Sequence, residues 1–217
     1  MPRTTFFIDD PVGRNGIQVL SLAPLETILV RTNNIAGEVE IDTVDILRQP
    51  SVRLSVPVDS LDTGIPLMNE VLRSDRWLDA AKFPTIRFSL DKVLSPAMPT
   101  GLANGTTIVL EAMGTVELHG ASNPCPIRGD LTWLRASERT ARRLPGDLLH
   151  LRARFDLRLP DYGIESHLSP QSLDKVAGTL QVEANLFAST ERPQVPDKMR
   201  QELARARREL AERLLRS

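Results

Sequence analysis

The sequence predicts a mainly β fold, namely an antiparallel barrel or strongly curved sheet of about eight strands. Apolar and polar residues alternate with a period of two over long stretches, the pattern of strands that have one buried and one wet face. Several of these runs reach ten or more residues, and Gly, Pro or Asn separates them, which is typical of barrels. Antiparallel sheets tolerate a wet face, whereas parallel sheets between helices usually do not.

The alternating runs give the strands in chain order. The clearest run lies between Leu149 and Leu159, where every second residue is apolar and His, Arg or Asp stands between. We predict strands near residues 16–21, 26–32, 36–46, 51–58, 85–93, 106–119, 126–135, 148–159 and 177–188, one of which is a continuation or an edge.

Residues 66–82 interrupt the β pattern and predict a short helix followed by a second turn. Pro66 suits the first turn of a helix, where its missing N–H has no partner to lose. We expect Leu67, Val71 and Leu72 to dock on the barrel, and Trp77 with Leu78 to anchor the return to the next strand.

The C-terminal residues predict a second helix that extends beyond the barrel. We therefore divide the chain into a barrel domain, 1–192, and a helical extension, 193–217. The apolar stripe of this helix consists of Met199, Leu203, Ala206, Leu210 and Leu214, at helical spacing. It has no aromatic anchors, so docking on its own barrel or forming a homodimer is favoured over membrane binding.

The composition excludes several classes of protein. With 217 residues, 41% of them apolar, and a formal charge of −1, the chain gives no general reason to expect nucleic acid as a partner. No apolar run approaches the roughly 20 residues that span a bilayer, so we expect no stable membrane insertion. The printed N-terminus has no export signal. We expect a cytoplasmic location, or a periplasmic or secreted one if a leader segment has been trimmed.

The stretch HGASNPCP contains His119 and Cys125 and raises the question of a reactive or metal site. A catalytic pair needs a third group that orients the histidine, and zinc needs three or four ligands. The histidines and the cysteine match no zinc spacing; they are His119, Cys125, His150 and His167. We expect no metal and no catalysis here, with Asn123–Pro124 forming a turn and Cys125 packing as a small apolar residue.

The inward strand faces form either a filled core or a tunnel for an apolar ligand, and periodicity does not separate the two. Small residues in these rows, Ala112, Gly114, Ala153 and Ala184, leave room and favour a tunnel. The candidate wall residues are Val56, Ile86, Phe88, Leu90, Ile108, Leu110, Ala112, Val116, Leu131, Trp133, Leu151, Ala153, Phe155, Leu157, Val182 and Ala184.

Three motifs occur in order: SLDTG with LRS and WLDAAKFPTIRF in residues 60–88, GTVELHGASNPCPI at 114–127, and FDLRLPDYGI at 155–164. Together they resemble the signatures of the YceI-like family across roughly residues 16–190. The resemblance implies a lipocalin-like barrel with a helix at one side. It also implies binding of a long isoprenoid or other amphiphilic chain, with no catalysis. Members of this family are mostly secreted or periplasmic.

One departure from the family pattern concerns the polar residues before LRS. The family commonly has Arg-Asp-x-His there, whereas this chain has Met68-Asn69-Glu70-Val71. Met68 and Val71 make this position more apolar than the family resemblance implies.

Three functional hypotheses follow. The first is a protein that carries or sequesters an amphiphilic, lipid-like molecule such as an isoprenoid, a quinone or a fatty chain, without a cofactor. The second is a hydrolase or isomerase-type enzyme acting on an apolar substrate, with His119 or His167 as general base and Asp161 nearby. The third is a filled barrel that acts as an interaction module through its C-terminal helix. The phase of His119 on its strand places it on the outward face.

Overall fold

The alternating runs form ten antiparallel strands in the computed structural model, which describes residues 3–96, 100–164 and 174–193 together with Glu202 and Arg205. The strands are β1 Thr4–Ile8, β2 Gly16–Leu22, β3 Thr27–Thr32, β4 Ala36–Ile41, β5 Ser51–Pro57, β6 Thr85–Pro96, β7 Thr107–Leu118, β8 Ala121–Leu134, β9 Leu148–Arg158 and β10 Thr179–Ser189. Two α-helices connect them, α1 Pro66–Arg73 and α2 Glu138–Ala141. The predicted mainly β class is confirmed.

Eight of these strands close into a barrel in the order β1-β4-β5-β6-β7-β8-β9-β10. Phe7 of β1 pairs with Ser189 of β10 and completes the ring. The β2–β3 hairpin joins the first half of β10, where Val19 lies opposite Val182. Two register shifts in β6, after Leu90 and after Val93, are bulges of the kind that bend a strand and increase its twist. These bends allow one long strand to follow the curve of the barrel.

One end of the barrel is a filled core. Phe6, Leu149 and Ala188 are each 0% exposed there, and they come from β1, β9 and β10, the strands that close the ring. Each large apolar side chain buried in this way contributes about 1.5–3 kcal/mol. The filled end therefore holds the closing strands together.

The sequence pattern missed β1 and placed the end of β4 too late. In β1, the adjacent Phe6 and Phe7 hide the alternation: Phe6 is fully buried, whereas the Arg192 guanidinium covers the outward Phe7 ring at 4.0 Å. β4 stops at Ile41 instead of residue 46. The cause is Asp42, because its carboxylate accepts a hydrogen bond from the backbone N–H of Val44 at 2.9 Å and turns the chain.

The predicted turn at Asn123–Pro124 is wrong. The reversal uses His119 and Gly120, whose φ angles of 52° and 77° are left-handed, as a tight hairpin between twisted strands requires. Asn123 and Pro124 lie inside β8. Pro124 is tolerated there because β9 pairs with β8 only from Arg128 onward, and proline fits a strand where no N–H must be donated.

Helix α1 begins at Pro66 as predicted, and polar bonds together with Leu72 hold it to the protein. Asn69 donates to the Asp62 carboxylate at 2.7 Å, and Arg73 donates to the carbonyl of Leu61 at 2.9 Å. Of the three residues expected to dock, Leu72 packs half-buried against the core. Leu67 and Val71 do not dock, since they are 70% and 44% exposed. Polar bonds to the preceding loop act together with the packing of Leu72, and they keep Leu67 and Val71 on the outer side of the helix.

Between α1 and β6 the chain is anchored to the barrel by a buried side chain. Leu78 is 6% exposed and Trp77 packs against the core half-buried, which agrees with the predicted anchor. The predicted C-terminal extension, 193–217, lies outside the described residues apart from Pro193, Glu202 and Arg205, and His167 also lies outside them.

A buried ion cluster fastens the segment between β1 and β2. The Asp10 carboxylate, 1% exposed, accepts from Arg14 at 3.1 Å and from Arg143 at 2.5 Å. Arg143 also donates to Asn15, which exchanges two hydrogen bonds with the backbone of Phe187 in β10. Burial alone would raise the pKa of Asp10, but the Arg14 hydrogen bond and the Arg143 charge outweigh it and lower the pKa.

Replacing Asp10 with Asn should lower the free energy of unfolding by about 2–4 kcal/mol at pH 7, because two guanidinium groups lose their buried counter-charge. A lowered folded pKa stabilises the protein above the ordinary carboxyl value of 3.8. This contribution disappears as the pH falls through the lowered pKa. Urea titrations at pH 7 and near pH 3 should therefore show the difference from wild type shrinking in acid.

The control is Asp130→Asn, which breaks the more exposed pair with Arg152 at 2.7 Å. This change should cost about 0–1 kcal/mol. Equal losses in the free energy of unfolding for the two variants would show that the Asp10 cluster stabilises the protein no more than an exposed ion pair does.

Candidate functional site

The barrel contains an apolar cavity of about 210 Å³. Fourteen of the predicted wall residues line it: Val56, Ile86, Phe88, Leu90, Leu110, Ala112, Val116, Leu131, Leu151, Ala153, Phe155, Leu157, Val182 and Ala184. An apolar cavity of roughly 150 Å³ stays dry and accepts small hydrophobic molecules, so this space can hold part of an apolar chain.

Strand alternation produces this wall directly. Leu151 and Ala153 of β9 face the cavity, while Arg152 between them pairs with Asp130 on the outer surface at 2.7 Å. On β6, Arg87 stands between two wall residues and pairs outside with Glu117, also at 2.7 Å. The charged residues that border the cavity are therefore neutralised on the wet face.

Thr32 contributes a hydroxyl to the described wall, and that hydroxyl is already engaged. Its Oγ1 lies 2.7 Å from Oγ of Ser60 and accepts a hydrogen bond from the backbone N–H of Asn34 at 3.1 Å. Ser60 in turn donates to the carbonyl of Pro57. A ligand would therefore meet mostly hydrocarbon, and dispersion and water exclusion would dominate its binding.

Two predicted wall residues lie away from the cavity. Ile108 is 3% exposed in the core, and Trp133 is half-buried beneath the guanidinium of Arg135 at 5.5 Å. Both belong to inward rows, with Ile108 opposite Leu131 and Trp133 opposite Leu149. Alternation predicts on which face of a strand a residue lies. It does not predict how far along the barrel axis the residue lies, so it could not separate residues of the filled core from residues of the cavity wall.

Part of the cavity wall was not predicted from the sequence. Strands β2, β4 and β5 supply six further lining residues with the same alternation that the other strands show: Ile17, Val19, Val39, Ile41, Val52 and Leu54. Loops supply Ile46, Pro50 and Leu61, for which periodicity offers no signal. The period-two pattern could have identified the first group, although it could not have identified the loop residues.

The ring of Phe88 already occupies the space that Gly114 was expected to leave in the cavity. A Cβ at this position would lie 2.6 Å from Cζ of Phe88 and closer still to Cε2. The Phe88 ring rests directly on the glycine backbone of the neighbouring strand. Ala112, Ala153 and Ala184 do line the cavity as expected.

His119 lies outside the cavity and has a structural contact. Its Nδ1 is 3.0 Å from the carbonyl oxygen of Tyr162, and its ring meets Phe83 edge-on at 4.9 Å between centroids. Asn123 donates to the neighbouring carbonyl of Asp161 at 2.6 Å. These contacts tie the β7–β8 hairpin to the turn that follows β9. Among the described residues, no group of three His, Cys, Asp or Glu side chains is placed to hold a metal ion.

Cys125 packs as a small apolar residue, 3% exposed beside Gly114. Burial, with a smaller contribution from the Asp91 charge, raises the pKa of its thiol to about 11. Burial likewise raises the pKa of Tyr162 to about 12. A buried thiol that stays protonated at neutral pH is a poor nucleophile.

Replacing His119 with Ala should lower the free energy of unfolding by about 1–2 kcal/mol, through the lost hydrogen bond and ring contact. Asn tolerates left-handed backbone, so His119→Asn keeps the turn but removes the reach to Tyr162. If Asn restored full stability in urea titrations, the turn geometry and not the hydrogen bond would explain the effect.

The Cys125 thiol should resist alkylation in the folded protein. At pH 8, the raised pKa alone reduces the thiolate fraction roughly a hundredfold relative to a model thiol of pKa 9.0, and burial slows access further. Iodoacetamide labelling followed by mass spectrometry should be fast in denaturant and very slow without it. Comparable rates in both conditions would contradict the packing described.

Comparisons with known proteins identify a matching family and several similar structures. A family model for the YceI-like domain matches residues 16–188. BcnA from Burkholderia cenocepacia is 14% identical with a TM-score of 0.62, covering 83% of this chain and 100% of its own. A polyisoprenoid binding domain from Saccharophagus degradans, implicated in plant cell wall breakdown, is 18% identical with a TM-score of 0.62, covering 86% and 98%. The Campylobacter jejuni YceI protein is 10% identical with a TM-score of 0.57, covering 75% and 85%.

At these identities the likeness to solved structures establishes the fold alone. No curated protein sequence matches the chain. Within the described residues, no helix has both the length and the apolar character needed to cross a bilayer. Since the family model covers nearly all of the barrel strands, the chain belongs to the YceI-like family.

Proposed function

We propose that the protein binds a long apolar chain, such as that of an isoprenoid, a quinone or a fatty amphiphile, inside its barrel and carries or sequesters it unchanged. The observation that carries this proposal is the cavity wall, which inward apolar residues of the strands supply almost entirely. The polyisoprenoid binding domain from Saccharophagus degradans, which shares the fold, supports the choice of ligand class.

The wall chemistry sets the expected selectivity. Each methylene buried contributes about 0.8 kcal/mol, which is about a fourfold gain in affinity. The Thr32 hydroxyl is satisfied by Ser60 and Asn34, so the described wall contributes little polar recognition. Chain length and not head-group chemistry should therefore control affinity.

The enzymatic alternative has less support. His119 contacts the Tyr162 carbonyl outside the cavity, and a general base must lie within hydrogen-bond reach of its target proton. The Asp161 carboxylate is 3.8 Å from Arg158, also outside the cavity. The other histidine proposed as a base, His167, lies outside the described residues.

Affinity for n-alkanols should rise about fourfold for each added methylene until the chain fills the cavity. Octanol, dodecanol and hexadecanol can be compared by displacement of a naphthylamine probe whose fluorescence increases in apolar surroundings. Equal affinity for octanol and hexadecanol would refute the proposed function.

A matched pair of variants tests the location of binding. Ala184→Phe places a ring in the cavity opposite Ala153 and should weaken hexadecanol binding at least tenfold. Gln181→Phe adds the same ring on the outer face of the same strand, where Gln181 is exposed, and should leave affinity unchanged. Equal effects of the two variants would place the binding site elsewhere.

A further inference from the structure

We propose that Phe88, seated on Gly114, determines how much of a ligand chain the cavity accepts. Phe88 lies on β6 and Gly114 on the neighbouring strand β7. The inference rests on the proposed function and goes further, because it assigns the capacity of the cavity to one pair of residues. Phe88 ends the first family motif and Gly114 begins the second, so the contact joins two motifs that are distant in sequence.

The contact depends on the missing side chain. In the ladder, Phe88 pairs with Val116 while Leu90 pairs with Gly114, so the Phe88 ring reaches diagonally across β7 to the glycine. A Cβ on Gly114 would lie 2.6 Å from Cζ of Phe88 and 2.9 Å from the carbonyl oxygen of Ser89, whereas ordinary contact requires 3.4–4 Å. Any side chain at position 114 must therefore displace the ring.

The direction of that displacement follows from the surroundings. The backbone of β7 lies beneath the ring, and the buried side chains of Ala112 and Val116 flank Gly114 along the strand. Space is available on the remaining side, in the cavity that Phe88 itself lines. A methyl group at position 114 should therefore push the ring by about 1 Å or more into the space open to a ligand.

A second phenylalanine provides a natural contrast. Phe83 rests on Gly120 in the β7–β8 turn, where a Cβ would lie 2.6 Å from its Cε1. Phe83 does not line the cavity, and its ring contacts His119 and Lys82 instead. Loss of the Phe83 contact should lower the stability of the protein without changing the length of chain that the cavity accepts. A Phe83 variant therefore distinguishes an effect on stability from an effect on cavity capacity.

The test uses Gly114→Ala, Phe88→Leu, the double variant, and Phe83→Leu as the control. Affinities for octanol and hexadecanol are measured by probe displacement, and the Tm of each variant is recorded. In Gly114→Ala, hexadecanol affinity should fall at least fourfold, about the equivalent of one methylene, with octanol affinity changed less. Phe88→Leu should restore most of the hexadecanol binding in the double variant, because the smaller side chain no longer projects into the cavity; the contact of the new methyl group with the Ser89 carbonyl remains.

The outcomes distinguish this inference from the proposed function. If wild-type protein binds no alkanol, the proposed function fails. If wild type binds hexadecanol and Gly114→Ala binds it equally well, Phe88 does not set the capacity. A loss in Gly114→Ala that Phe88→Leu does not rescue, or an equal loss in Phe83→Leu, would attribute the effect to general destabilisation and also overturn the inference. Selective loss with rescue supports it.

Discussion

Closure of the β-sheet is the constraint on which the rest of this structure depends. Once Phe7 pairs with Ser189, the inward faces of eight strands enclose a space that their own side chains must fill or shape. Strand geometry sends every second side chain into that space, and the sequence supplies apolar residues at those positions. Closure also satisfies backbone groups that an open sheet would leave at its edges. The barrel core and the cavity wall are therefore one continuous surface.

The two ends of this surface have different properties because the side chains differ in size and position. Phe6 and Leu149 are fully buried, while the row through Ala153 and Ala184 lines the cavity. Well-packed protein interiors rarely contain voids of this size without a reason. The hollow region is compatible with a stable fold because the filled end and the Asp10 cluster hold the ring-closing strands together.

The sequence predicted the parts of the molecule that periodicity governs. The mainly β class, most strands and the cavity-facing rows of β6 to β10 follow from alternation alone. Alternation could not give the height of Ile108 and Trp133 along the barrel, since both lie in correct rows outside the cavity. Local hydrogen bonds decided the remaining cases: Asp42 ended β4 early, and Asn69 with Arg73 bound α1 to the preceding loop and so fixed its orientation. Such bonds depend on neighbours that are brought together only in the fold.

The prolines of β8 have a consequence for association between molecules. On the side away from β7, no described strand pairs with β8 before Arg128. This stretch contains Pro124 and Pro126, and the turn after β9 approaches it. A strand from another molecule would need N–H donors there, and proline has none to give. Asn123 occupies part of the same region through its bond to Asp161. The stretch therefore offers few backbone donors to an incoming strand, which disfavours edge-to-edge association of folded molecules.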